Sequence, residues 1–267
     1  MNRALHIDFE TRSACELRDT NAYIYFDDPT TDVWCAAYAF DDDEPEIWFP
    51  GDACPDAIAD HIKAGGEVHA WNAAFERLAI RSILGPRYGW PVPGVRQYRC
   101  TMVSALAMSL PGKLEQAAPA LGLSTVKDSA GSRLMLQMAK PRRPRKGENP
   151  TALVWWADGD RQQRLASYCL QDVRTEQAVS KRILPLRPDE QELWFLDQQI
   201  NDRGVYIDDK LCLAAKRLVA CAAERLDKEL AKLTDHVVTG VSNTGQITQY
   251  LRQKGLDIPG VAKDVIE

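Results

Sequence analysis

The chain has 267 residues, 45% of them hydrophobic and 27% charged, and a formal net charge of −5. This is the composition of a globular protein, long enough for one large domain or two modest ones. The acidic balance excludes a globally basic nucleic-acid binder, so a nucleic-acid partner would have to be met by a local basic patch or through metal ions.

No apolar run approaches the ~18 residues that a membrane span needs. Met1–His6 leads straight into an acidic strand, without the apolar region and cleavage site of a signal peptide, and a cytoplasmic protein is expected. The seven cysteines show no Cys-x-x-Cys pair and the four histidines no zinc spacing. Free thiols in a reducing compartment are therefore expected. Any metal ligands would be carboxylates, which suit a hard cation such as Mg²⁺ or Mn²⁺.

The first predicted element is Leu5–Thr11, in which Leu5, Ile7 and Phe9 alternate with His6, Asp8 and Glu10. That is the period of a strand. Residues two apart on a strand share a face, so Asp8 and Glu10 point the same way, about 6.5–7 Å apart at the backbone. Two converging carboxylates repel each other unless a cation lies between them. Half of a metal site and a solvated acidic edge both remain open on this stretch alone.

After a polar stretch, Arg12–Pro29, Val33–Phe40 reads as a buried strand, Asp41–Pro45 as a solvated turn and Glu46–Phe49 as the returning strand. Pro55–Ala64 is predicted helical, with Pro55 near its first turn and Gly65-Gly66 at its end. Glu67–Trp71 reads as a strand, and Asn72 can cap a helix over Ala73–Leu84. A short strand at Arg96–Arg99 is followed by helices at Thr101–Ser109, Pro111–Gly122 and Gly131–Ala139. Lys140–Lys146 has five basic residues in seven, with two prolines, and must be an exposed loop. It is either a solvated linker or a phosphate contact.

Arg161–Leu184 is predicted as a long helix with Leu165, Tyr168, Cys169, Asp172, Glu176, Val179 and Ile183 on one face. Pro185–Pro188 then breaks the chain, which places a boundary between a domain at 1–187 and a helical segment at 188–267. That segment reads as a helix over Asp189–Arg203, a Gly204 stop, an extended Val205–Ile207, a helix from Asp208 to about Leu233, and a last one over Thr244–Lys254 capped by Asn243.

Two further acids stand out. Glu76 falls in the first turn after Asn72, where the helix dipole by itself favours a carboxylate. Tyr168 and Asp172 are at i and i+4 on a face that should meet the core. A buried acid is costly unless it is paired or metal-bound, and Arg164 and Arg174 are the possible pairing partners.

Taken together, Asp8-x-Glu10 on a strand, Asn72-x-x-Phe75-Glu76 at a helix start and Tyr168-x-x-x-Asp172 on a late helix resemble the three motifs of the DEDD proofreading 3′–5′ exonucleases, in their tyrosine-containing branch. Within that superfamily the chain is similar to phage and prophage family-A DNA polymerases of the DNA polymerase I lineage. Tyr23–Asp42, with its Asp28–Tyr38 run, and Arg99–Met102, Leu110–Glu115 and Ala120–Leu123 share in that likeness. Glu192–Asp208 resembles the family's junction between exonuclease and polymerase.

The resemblance implies an α/β, ribonuclease H-like exonuclease fold, a mixed central sheet flanked by helices, at 1–187. The helical segment at 188–267 looks like the start of a polymerase thumb, and nothing resembles palm or fingers, so the rest of the polymerase is expected to be missing. The implied cofactors are two divalent cations, Mg²⁺ or Mn²⁺, held by Asp8, Glu10, Glu76 and Asp172, with Asp8 between them. Tyr168 would orient the attacking water. Thr11, Phe9, Asn72 and Phe75 would meet the terminal nucleotides of a single-stranded or frayed DNA 3′ end, although both phenylalanines also suit plain core packing. The implied setting is a bacterial or phage-infected cell. Glu76 departs from the family, whose second motif usually supplies aspartate. An inactive exonuclease-like DNA-binding module and a freestanding RNA-processing exonuclease are the alternative readings.

Overall fold

The computed structural model describes residues 3–123 and 128–261. Five strands form one sheet: β1 (Ala4–Arg12), β2 (Asp32–Phe40), β3 (Glu46–Trp48), β4 (Glu67–Ala70) and β5 (Tyr98–Cys100). Their order is β3-β2-β1-β4-β5. β1 runs antiparallel to β2, and β2 to β3, whereas β1 pairs parallel with β4 and β4 with β5. The sheet is therefore mixed, with β1 at its centre. Its helices are α1 (Ala22–Asp27), α2 (Asp56–Lys63), α3 (Ala73–Ala79), α4 (Gly85–Tyr88), α5 (Thr101–Ala107), α6 (Leu114–Ala120), α7 (Ser129–Met138), α8 (Gly159–Ser180) and α9 (Pro188–Arg203). Among the described residues, no helix is long and apolar enough to cross a membrane.

The two faces of the sheet are covered differently. Leu5, Ile7 and Phe9 of β1 join Val68, Leu78, Ile80, Ile83 and Leu84 in the larger core. On the other face, Cys35, Ala37 and Ala39 of β2 meet Ala166, Cys169 and Val173 of α8. Small side chains on both partners let a long helix lie close over the central strands. Both faces of β1 are thus covered by protein. A solvated acidic edge, left open by the strand pattern, does not occur.

Several local expectations are modified. The helix after β4 keeps α-helical hydrogen bonding only to Ala79 and continues as a π-helical turn, Ile80–Leu84. Asn72 stands at the N-cap of α3, but its side chain makes no capping hydrogen bond. Val95–Gln97 is a 3₁₀ turn, so the strand begins later, at Tyr98. The polar stretch before β2, for which no element is predicted, contains α1, whose N-terminus is capped by the Asn21 side chain.

By its contacts the chain divides into two units, Met1–Asp202 and Arg203–Glu267. The proline turn at 185–188 redirects the chain without ending the first unit. Beyond it, Trp194 and Phe195 of α9 are buried in the larger core. Asp202 takes both terminal nitrogens of the buried Arg77 at 2.8 Å. In the second unit, α10 (Asp209–Leu233) is capped by Asp208 and α11 (Thr244–Gln253) by Asn243. Asp227 of α10 accepts from the Val241 amide at 2.7 Å and holds the turn before α11. Val205–Ile207, expected to be extended, forms no strand.

Candidate metal centre

Three elements bring four carboxylates to one cavity. β1 supplies Asp8 and Glu10 from the face turned toward α8. The first turn of α3 supplies Glu76, and α8 supplies Asp172. All four line a cavity of about 590 Å³, together with Phe9, Thr11 and Phe75.

The pairing alternative for Asp172 fails. Arg164 is held by Asp128, and Arg174 by Glu44 at 3.0 Å. Glu76 is 4% exposed and its Oε2 has no hydrogen-bond partner. A buried carboxylate oxygen without a partner is costly and needs a proton or a cation.

Each acid holds its proton more tightly than usual. Burial pushes Asp8 up to about 6, opposed by the Cys169 thiol and reinforced by the nearby Glu176. Burial raises Asp172 to about 8, with Asp8 adding repulsion and a hydrogen bond from Tyr168 opposing it. Glu10 and Glu76 are raised well above the ordinary range, first by burial and then by the charge of Asp8. Tyr168 is also raised, by burial and by the surrounding acids, so its hydroxyl stays protonated. Gly131 lets α7 approach it, because a Cβ there would lie 2.5 Å from the Tyr168 ring.

The remaining expected positions divide. Thr11 follows a register shift in the β1–β2 pairing, and its hydroxyl bonds that of Tyr25 at 2.8 Å. Phe9 lies edge-on to Trp90 and Phe75 against Phe26, so both belong to the larger core while also lining the cavity. Asn72 is exposed and is not among the cavity-lining residues. Tyr168 reaches the site through Asp172 rather than as part of the cavity wall. In the basic loop, Arg142 is engaged by Glu148 at 2.6 and 2.7 Å and Lys140 by Glu16 at 2.6 Å.

Two groups escaped the sequence reading. Cys169, fully buried, places its Sγ 3.5 Å from both the backbone oxygen and Oδ2 of Asp8. Glu176, one turn beyond Asp172, accepts from Thr101 and bonds His6 Nδ1 at 2.5 Å. The helical pattern had placed both residues on the core-facing stripe of α8. It carried no information on which strand atoms they would meet.

The donor set fits a hard divalent cation: carboxylate oxygens from several elements, mutually repelling, one of them unpartnered. This has a measurable consequence for the cation-free protein. A carboxyl whose folded pKa lies above its unfolded value favours folding fully only below the unfolded value, and that contribution is lost as pH rises through the folded one. With Asp8 at about 6 and Asp172 at about 8, stability in chelator should fall from pH 4 to pH 8. Mn²⁺ should restore it at pH 8 by roughly 1–3 kcal/mol. Urea unfolding with and without Mn²⁺ measures this, and a flat pH profile would rule out the clustered acids as its source.

No protein-family profile matches the chain. It is 36% identical, over a 274-residue alignment, to the DNA polymerase of Bacillus phage SP02; the match covers 99% of this chain and 41% of that polymerase. The chain is therefore related to a phage DNA polymerase, and it spans about two fifths of that relative's length.

Proposed function

We propose that the chain carries the metal-dependent 3′–5′ exonuclease of a DNA polymerase and hydrolyses phosphodiesters at single-stranded or frayed DNA 3′ ends. The observation that supports this best is the convergence of Asp8, Glu10, Glu76 and Asp172 in one cavity, with Glu76 Oε2 buried and unpartnered. The strand order, with an antiparallel β3-β2-β1 half and a parallel β1-β4-β5 half, suits a ribonuclease H-like reading of the first unit. The relationship to a phage polymerase supplies the DNA context. On this reading residues 1–187 carry the exonuclease, and 188–267 begin the polymerase part with α9 still packed into the first unit.

Asp8, Glu10, Glu76 and Asp172 would hold two divalent cations, Mg²⁺ or Mn²⁺. When bound, these cations supply an activated water and charge neutralisation at the leaving 3′ oxygen. The protein's own groups do the rest. Asp8 stands among all the other acids and sets the charge of the centre. Tyr168 keeps its proton and therefore acts by hydrogen bonding, orienting a water rather than accepting its proton. The Phe75, Leu17, Met135 and Leu136 side of the cavity offers an apolar wall for a base, and Arg18 and Lys140 line the same cavity within reach of phosphate.

The test is a 3′-labelled single strand incubated with the protein in Mg²⁺ and in chelator. Release of nucleoside monophosphate in Mg²⁺, abolished by chelator, is the expected result. Release that persists in chelator, or no release in either Mg²⁺ or Mn²⁺, contradicts the reading. Comparable or faster degradation of an RNA strand would move the substrate from DNA to RNA.

A further inference from the structure

We propose that Cys169 makes this centre a mixed thiol–carboxylate site, able to take a thiophilic divalent cation of the zinc or cadmium class alongside Asp8 and Glu10. The inference rests on the nuclease reading only in that it uses two of the same carboxylates.

The geometry is that of a ligand set. One donor atom each from Asp8, Glu10 and Cys169 lies within 4.8 Å of the other two. The Cys169 Sγ is 3.5 Å from Asp8 Oδ2. In a tetrahedral site, bonds of about 2.3 Å to sulfur and about 2.0–2.2 Å to oxygen place the two donors about 3.5–3.7 Å apart. The observed separation therefore needs little rearrangement. A second, independent observation comes from α3: the Glu76 Oε2, on a residue 4% exposed, is unpartnered and Glu76 lines the same cavity.

The thiol is held in place by its surroundings. Cys169 lies between Ala166 and Val173 on the stripe of α8 that packs on Cys35, Ala37 and Ala39, and it is fully buried. It therefore faces the acids and not solvent. Mg²⁺ takes oxygen donors and leaves such a thiol untouched, whereas Zn²⁺ and Cd²⁺ bind thiolate strongly. On binding, the Cys169 S–H bond is exchanged for a sulfur–metal bond and the proton passes to solvent. Such an ion occupies Asp8 and Glu10, so it competes with the hard cation.

The experiment uses the full chain, freed of metal, in two arms. In the first, X-ray absorption at the zinc edge is recorded on the wild-type protein with one equivalent of Zn²⁺. One sulfur neighbour at about 2.3 Å with otherwise oxygen ligands is expected; no sulfur, or several, overturns the proposal. In the second, Cd²⁺ is titrated into wild type, Cys169→Ser, Cys169→Ala and Asp8→Asn, and followed by the ultraviolet sulfur-to-cadmium charge-transfer band. The tightest component of the band should be lost in both Cys169 variants and weaken about tenfold or more in affinity in Asp8→Asn. Wild-type titration curves in both Cys169 variants overturn the inference. The Mg²⁺-dependent nuclease assay on wild type separates the two ideas. An active nuclease without a Cys169-dependent band removes only the inference. A Cys169-dependent band with no nuclease removes only the hydrolytic reading.

Discussion

Asp8→Ala is expected to lower Mg²⁺-dependent release of nucleoside monophosphates from a DNA 3′ end by on the order of 10⁴-fold, and Asp172→Ala by a similar factor. Asp8 is the charge that the other three acids share: it raises Glu10, Glu76 and Asp172 alike. It also stands on the central strand, flanked by β2 and β4. On the proposed reading, its removal takes away the one of the four carboxylates whose charge acts on the other three. Asp172 comes from a different element, α8, and takes a hydrogen bond from Tyr168. Because the cation-free cluster is repulsive, neither variant should unfold the protein. The Cys169 thiol keeps the backbone oxygen of residue 8 as an acceptor at 3.5 Å. An unchanged or raised midpoint in urea, with activity lost, is the expected pair of results. Either variant retaining activity within about tenfold of wild type would remove that residue from the metal centre, and both doing so would remove the reading.

The parts of this arrangement that could be read in the sequence are those fixed by local periodicity. Asp8 and Glu10 share a face because a strand alternates, and Tyr168 and Asp172 share one because a helix repeats every 3.6 residues. Glu76 follows a strand and a polar residue, which marks a helix start whether or not that residue caps it. The rest depends on how elements meet. Asn72 adopts φ −126° and ψ 64° and makes no capping bond, a choice made by the β4–α3 connection rather than by residue type. The π turn at Ile80–Leu84 keeps the same apolar residues buried as an α-helix would, so the apolar pattern does not reveal it. The proline turn at 185–188 looks like a boundary in sequence. Burial of Trp194 and Phe195 carries the packed unit across it. The approach of Cys169 to Asp8 and of Glu176 to His6 depends on the closeness of α8 to the sheet. Alanines at 37, 39 and 166 permit that closeness without announcing it.

His6→Ala is expected to destabilise the protein by about 1–3 kcal/mol at neutral pH, the cost of leaving a buried carboxylate oxygen without its hydrogen-bond partner. For a unit of this size that corresponds to a fall in melting temperature of roughly 2–12 °C. His6 and Glu176 are 5% and 3% exposed. Glu176 has its two oxygens divided between His6 and Thr101, so the group ties β1, α8 and the start of α5 together behind the acid cluster. With His6 gone, Thr101 remains as the partner of one oxygen, and the carboxylate is left buried without the other. Glu176→Gln should cost less, because an amide can still accept from Thr101 and no uncompensated charge remains. The double variant His6→Ala, Glu176→Ala should then be less destabilised than the sum of the two alanine singles, a coupling that a double-mutant cycle in urea reads directly. The pH dependence distinguishes this pair from the clustered acids. Burial pushes the Glu176 carboxyl up, but His6 and Thr101 overcome it and hold the folded value below the ordinary one. Its stabilisation is therefore complete above the unfolded value of about 4.3 and is lost as pH falls through the lower folded value. The cost of His6→Ala should be full at pH 7 and shrink below about pH 4, opposite in direction to the metal-free acids, whose penalty grows as pH rises. Equal destabilisation at pH 7 and pH 3 would assign His6 a packing role rather than a hydrogen bond to the Glu176 carboxylate.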